Sequence, residues 1–83
     1  NNPDMDASEV FVVASGKDLL IEAGSQTIES ITVFDLTGKR LFQQKDIAAS
    51  TFTARDRNWA TQVLLVKVTL ENGAMTTRKV IMN

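Results

Sequence analysis

Any chemistry in this chain would have to rest on its carboxylates, because its 83 residues include no histidine and no cysteine. Their absence removes the usual general base, the usual metal ligand, the thiolate nucleophile and any disulfide framework. Asp35 stands at the end of an alternating run and has the residue type of a catalytic acid or base. No second carboxylate is assigned opposite it, and an Asp in a turn accepts hydrogen bonds from its own backbone. The turn reading is therefore preferred. Asn2, Asp4 and Asp6 alternate like the oxygen ligands of a calcium loop, but the downstream Gly and bidentate Glu are missing at the required spacing. Linker polarity accounts for them better. Arg55-Asp56-Arg57 with Trp59 has the composition of a recognition patch, since Arg and Trp dominate interface hot spots. The competing reading caps the core with Trp59 and leaves the arginines solvated. It is favoured because a small core seldom leaves its one large aromatic exposed. Serines and threonines lack a histidine or an obvious lysine partner and read as strand and turn residues. The expectation is a protein that is not an enzyme and holds no metal or cofactor.

Composition narrows the class further. With 43% hydrophobic and 23% charged residues the chain has ordinary globular composition. Nine basic and ten acidic residues give a net charge of −1. That balance leaves no electrostatic footprint for nucleic acid or for an anionic membrane. No apolar run approaches bilayer-spanning length, so no membrane insertion is expected. The opening Asn1-Asn2-Pro3-Asp4 lacks the basic and apolar regions of a signal peptide, which suggests a domain cut from a longer chain. At this length one domain with a modest core is expected.

The elements that position these residues read as strands throughout. Residues 1–8 are polar and form a linker or frayed start; residues 9–83 form the domain. Residues 9–14 carry Val10, Phe11, Val12 and Val13 in an almost unbroken apolar run, which predicts a strand buried on both faces. A turn at Ser15-Gly16-Lys17 leads to residues 18–23, which break at Gly24-Ser25-Gln26. Residues 28–34 alternate Ile31 and Val33 against Thr32 and Phe34, the period of a strand with one buried face. Asp35-Leu36-Thr37-Gly38 then turns the chain into residues 39–44, with Gly38 able to take φ > 0. Residues 46–50 form a loose connection with Ile47 as an anchor, and residues 51–55 a short strand. In residues 62–70, Leu64, Val66, Val68 and Leu70 share one face. Asn72-Gly73 has the composition of a primed hairpin turn, and residues 75–82 form a last strand whose inward face the pattern leaves open. Seven short strands at near-regular spacing, with no helical periodicity, predict an all-β, Ig-like antiparallel β-sandwich. Lys17, Lys39, Lys45 and Lys79 fall near strand ends, where they would guard exposed edges against pairing.

Two blocks together carry a family resemblance. The first is Ile31-Thr32-Val33-Phe34-Asp35-Leu36-Thr37-Gly38-Lys39 with Leu41-Phe42. The second is Gln62-Val63-Leu64-Leu65-Val66-Lys67-Val68, then Glu71-Asn72-Gly73 and the closing Arg78-Lys79-Val80-Ile81-Met82-Asn83. The arrangement resembles the C-terminal sorting domain of the type IX (Por) secretion system of Bacteroidetes. It covers nearly the whole chain from Val10 onward. Gln62-Val63-Leu64 stands where the commonest form has Gly-x-Tyr, so the chain is similar to the branch lacking that motif. The resemblance implies an Ig-like sandwich that addresses an N-terminal cargo domain of the same chain to the outer-membrane translocon. It also implies processing by a sortase-like protease and a route through the periplasm to the medium or cell surface. The matching positions are Asp35, Gly38, Lys39, Lys79, Val80 and Ile81, as determinants of fold and recognition. A closing strand ending at Asn83 suits such a signal, and its free backbone groups would allow reading by strand addition. The competing reading is a passive Ig-like spacer, or an adhesive or carbohydrate-binding module. One Trp, four Phe and no Tyr are a poor supply for sugar stacking.

Overall fold

The computed structural model describes residues 9–55 and 62–82. Seven strands follow one another without a helix among the described residues: β1 (Phe11–Ser15), β2 (Asp18–Glu22), β3 (Ile28–Asp35), β4 (Arg40–Gln44), β5 (Thr51–Ala54), β6 (Val63–Leu70) and β7 (Met75–Ile81). They form two antiparallel sheets, one ordered β1-β2-β5 and the other β4-β3-β6-β7. This is the expected Ig-like sandwich, with one difference from the constant-type immunoglobulin partition. There the fourth strand joins the sheet of the first, second and fifth; here β4 stays beside β3. The cause is local, because the tight turn after Asp35 leaves β4 nowhere else to pair.

The core is the inner face of each sheet. Along β6, Leu64, Val66, Val68 and Leu70 are buried while the residues between them are half-buried, as the alternation predicted. Opposite them lie Leu19 and Ile21 of β2, both fully buried. One open side of the sandwich is closed by Phe42 and Phe52, stacked with ring centroids 6.2 Å apart. On the other side the Arg78 Nε of β7 donates to the Val10 carbonyl at 3.4 Å. Lys39 and Lys45 flank edge strand β4, Lys79 lies in edge strand β7, and Lys17 sits in the turn after edge strand β1.

Three local expectations need correction or completion. β1 is not buried on both faces: Phe11 is 65% and Val13 52% exposed. Among the described residues no element stacks on the outer side of this short three-stranded sheet, so within β1 it is Val12 and Ala14 that pack against the core. Asn72-Gly73 does not form a primed turn. Gly73 N donates to Leu70 O at 3.0 Å and Leu70 N to Ala74 O at 2.8 Å. Gly73 has φ 95°, and Asn72 is not among the positive-φ residues. This is a three-residue loop, a type I turn closed by a glycine bulge. The inward face of β7, which the sequence left open, is that of Thr76, Arg78 and Val80, which lie opposite the buried Val68, Val66 and Leu64.

The β4–β5 connection carries the chain from one sheet to the other. Ile47 N and Ala48 N donate to the carbonyls of Glu29 and Ile28, and Ile28 N donates to Ala49 O. Ala23 N then meets Ser50 O at 2.8 Å, beside the end of β2. Asp46 and Ala48 take φ of 58° and 54° to make this path, and Ile47 packs against the core as expected. Left-handed φ is rare for alanine because its Cβ crowds the following carbonyl.

Candidate functional site

The two blocks of interest meet at one end of the four-stranded sheet. Pairing register aligns Asp35 of β3, Leu64 of β6 and Val80 of β7 in one row. The next row is Arg40, Phe34, Leu65 and Lys79, one residue from each of the four strands. Asp35 and Val80 are 45 positions apart in the chain, yet only two strand spacings, about 10 Å, separate their backbones. Antiparallel pairing through β6 does this, since β3 and β7 both end where β6 begins.

The 35–38 turn is held by its own first residue. Asp35 N donates to Lys39 O at 2.9 Å and Gly38 N to Asp35 O at 3.0 Å. The Asp35 carboxylate oxygen Oδ1 accepts three bonds: from Thr37 Oγ1 at 2.6 Å, Thr37 N at 2.9 Å and Lys39 N at 3.0 Å. Hydrogen bonding to the charged form lowers a pKa. The Thr37 hydroxyl is the main cause of the lowered Asp35 pKa; desolvation opposes it, and the Lys39 and Thr37 backbone amides and the Lys39 charge add to the lowering. Gly38 has φ 90° and open space where a Cβ would stand. Asp35 thus serves structure, as its residue type and turn position predicted.

At the other half of the site, Val80 is buried and contributes to the core, whereas Lys79 is exposed and Ile81 is 62% exposed. Met82 N donates to Gln62 O at 2.9 Å and the Met82 side chain is buried, so the chain stays pinned to β6 past the end of β7. Lys39, Lys79 and Ile81 are therefore the matched positions with exposed side chains, Asp35 being half-buried in its turn. Phe34, Leu65 and Arg40 join them in space, though the sequence reading did not select them. Alternation alone put Phe34 and Leu65 on outward faces; only the strand order sets them side by side.

The remaining candidates separate from this end. Arg55 Nη1 pairs with Asp18 Oδ2 at 3.2 Å, tying the end of β5 to the start of β2. Asp56, Arg57 and Trp59 lie outside the described residues, as do Asn2, Asp4 and Asp6. Among the described residues there is no concave pocket and no cluster of three or more His, Cys, Asp or Glu able to hold a metal. No described helix is long and apolar enough to cross a membrane.

The fold and this flat, partly apolar sheet end define a small Ig-like β-sandwich domain whose candidate site is a surface. Residues 1–82 match the model of the family described as Domain of unknown function (DUF8694), and the chain belongs to that family. No curated protein matches it.

Proposed function

We propose that this domain is a non-catalytic sorting signal that carries an N-terminal cargo through the outer-membrane translocon of a type IX secretion system. In this reading the secretion machinery recognises it after passage into the periplasm, a sortase-like protease processes it, and the cargo reaches the medium or cell surface. The observation that carries the reading is the convergence of the Asp35-Gly38-Lys39 turn and the Lys79-Ile81 strand end at one end of one sheet. A translocon serving unrelated cargoes needs a compact tag with a defined exposed feature. The two blocks that carry the resemblance supply one together. β7 is an edge strand with no partner on its outer side among the described residues, which suits reading by strand addition.

The test is export. Residues 1–83 are fused behind a signal peptide and a fluorescent protein in a Bacteroidetes host, with and without a working translocon. Export that requires the translocon supports the proposal. Folded fusion retained in the periplasm of both strains overturns it in favour of an Ig-like spacer or adhesive module, once a known cargo domain exports from the same host. Within an exporting fusion, Lys79→Ala with Ile81→Ser is the informative pair, because both side chains are exposed and the fold should persist. Unimpaired export of that variant would remove the strand end from the recognition surface.

A further inference from the structure

The Asn72-Gly73 pair carries a covalent chemistry that the sorting proposal does not use. Asparagine is a chemically labile residue, and of the five in the chain only Asn72 precedes a glycine. In an open chain such a pair cyclises readily, because glycine has no Cβ to crowd its backbone nitrogen or restrict its rotation. Three atoms decide the rate: the nucleophile Gly73 N, the Asn72 carbonyl oxygen Oδ1 and the leaving nitrogen Nδ2. The fold engages all three. Gly73 N donates to Leu70 O at 3.0 Å, Oδ1 accepts from Ala74 N at 2.8 Å, and Nδ2 donates to Gln26 Oε1 at 3.2 Å. Glu71 N also donates to Thr27 O at 2.9 Å, so the loop is tied twice to the β2–β3 connection.

We infer that Asn72-Gly73 is a deamidation site gated by this hairpin, inert in the folded turn and reactive once the turn opens. The reaction needs only water. Gly73 N gives up its proton and attacks Asn72 Cγ; the N–Cγ bond forms, the Cγ–Nδ2 bond breaks, and Nδ2 leaves with that proton as ammonia. Water then adds to either carbonyl of the succinimide ring, leaving aspartate or isoaspartate at position 72. Within the turn the hydrogen bonds act in opposite senses. The Ala74 N–H polarises the Asn72 carbonyl and by itself favours attack. The bond to Leu70 O favours the protonated Gly73 nitrogen, and the bonds at Oδ1 and Nδ2 hold the side-chain amide toward Ala74 and Gln26. The restraint wins, since a polarised carbonyl gains nothing from a nucleophile that keeps its proton. Burial is not the protection, because Gly73 is exposed and Asn72 only half-buried. Reaction must break the Gly73 and Nδ2 bonds together, at a factor of about five each, so the folded chain should deamidate about thirtyfold slower than an open one. Isoaspartate adds a methylene to the backbone between Leu70 and Ala74. The three-residue loop then no longer closes, and the opening becomes permanent.

The test uses the full chain in mildly alkaline buffer, beside a synthetic peptide of residues 68–78, which is also the tryptic fragment of this region. Chromatography with mass spectrometry of that fragment separates its asparagine, aspartate and isoaspartate forms over time. No cargo or translocon is involved, so the result is independent of the sorting proposal. The folded chain is expected to react about thirtyfold slower than the peptide. Gln26→Ala removes the acceptor of Nδ2 and should speed the folded chain about fivefold, whereas Gln26→Glu keeps an acceptor and should stay near wild type. Circular dichroism checks that both variants are folded. Phe42→Ala loosens the Phe42–Phe52 stack, away from this turn, and should leave the rate unchanged. A folded chain that reacts as fast as the peptide overturns the inference, as does a Gln26→Ala chain that reacts like wild type. Acceleration by Phe42→Ala equal to that of Gln26→Ala would make global unfolding the gate, and overturns it too.

Discussion

The two hairpins of the four-stranded sheet solve one backbone problem with different side chains. At residues 35–39 and 70–74 the same pair of backbone bonds closes a three-residue loop, and a glycine with φ of 90° or 95° ends it. In the first, a carboxylate accepts three bonds inside the turn. In the second, the neutral Asn72 accepts one bond from Ala74 N at 2.8 Å and donates to Gln26 Oε1 at 3.2 Å, reaching outside the hairpin. The first turn is self-contained and charged; the second is neutral and tied to the β2–β3 connection. Backbone geometry is thus set by the glycine position, while the side chain at the turn decides what the hairpin responds to.

The largest expected effect tests the shared part. Gly38→Val and Gly73→Val should each cost on the order of 1–2 kcal/mol, because a β-branched residue is forced into left-handed φ. For a domain of this size each kcal/mol lowers Tm by roughly 4–8 °C, which thermal unfolding followed by circular dichroism would detect. An unchanged Tm at either site would show that the two turns do not share this geometry. A converse comes from Ala48, which adopts φ 54° with a Cβ. Ala48→Gly should raise stability by about 1 kcal/mol, the penalty that Gly38 and Gly73 avoid; a loss in the same thermal scan would mean the Cβ packs usefully there.

The next effect separates the turns. Asn72→Ala removes the acceptor for Ala74 N and should cost about 1 kcal/mol, read from urea unfolding. The smallest effect is a difference in acid response. Asp35 has a folded pKa below its ordinary 3.8. Its contribution to stability is therefore complete above the unfolded value and is lost as pH falls through the depressed folded one. Amide exchange at Thr37 and Lys39 should accelerate in that acid window, while exchange at Ala74 shows no matching step. Asp35→Asn should abolish the step, and Asn72→Asp should create one at Ala74. Equal acid sensitivity of both turns would dissolve the contrast.

Much of the fold was legible beforehand. Period-2 alternation in β6 named its buried face residue by residue, because burial on one side of a pleated strand imposes that period. The Asp35-Leu36-Thr37-Gly38 turn was legible because Asp and Gly carry their turn chemistry locally. Failures came where the outcome depended on neighbours. Val10, Phe11, Val12 and Val13 make an apolar run consistent with burial on both faces, yet no layer of the described residues covers the outer side of β1. Asn72-Gly73 is compatible with two loop lengths, and the pairing of Leu70 with Ala74 chose the longer. The outward surface of Phe34, Leu65, Arg40 and Lys79 is assembled from four strands and has no signature in any one of them.

By itself the sequence determined strand positions, turn positions and the absence of histidine and cysteine chemistry, since these follow from residue type and short-range spacing. Tertiary structure alone decided that β4 stays beside β3, that Asp35 and Val80 share a row, and that Phe34, Leu65, Arg40 and Lys79 form one surface. Those properties belong to strand order and register, which arise from pairings between residues far apart in the chain.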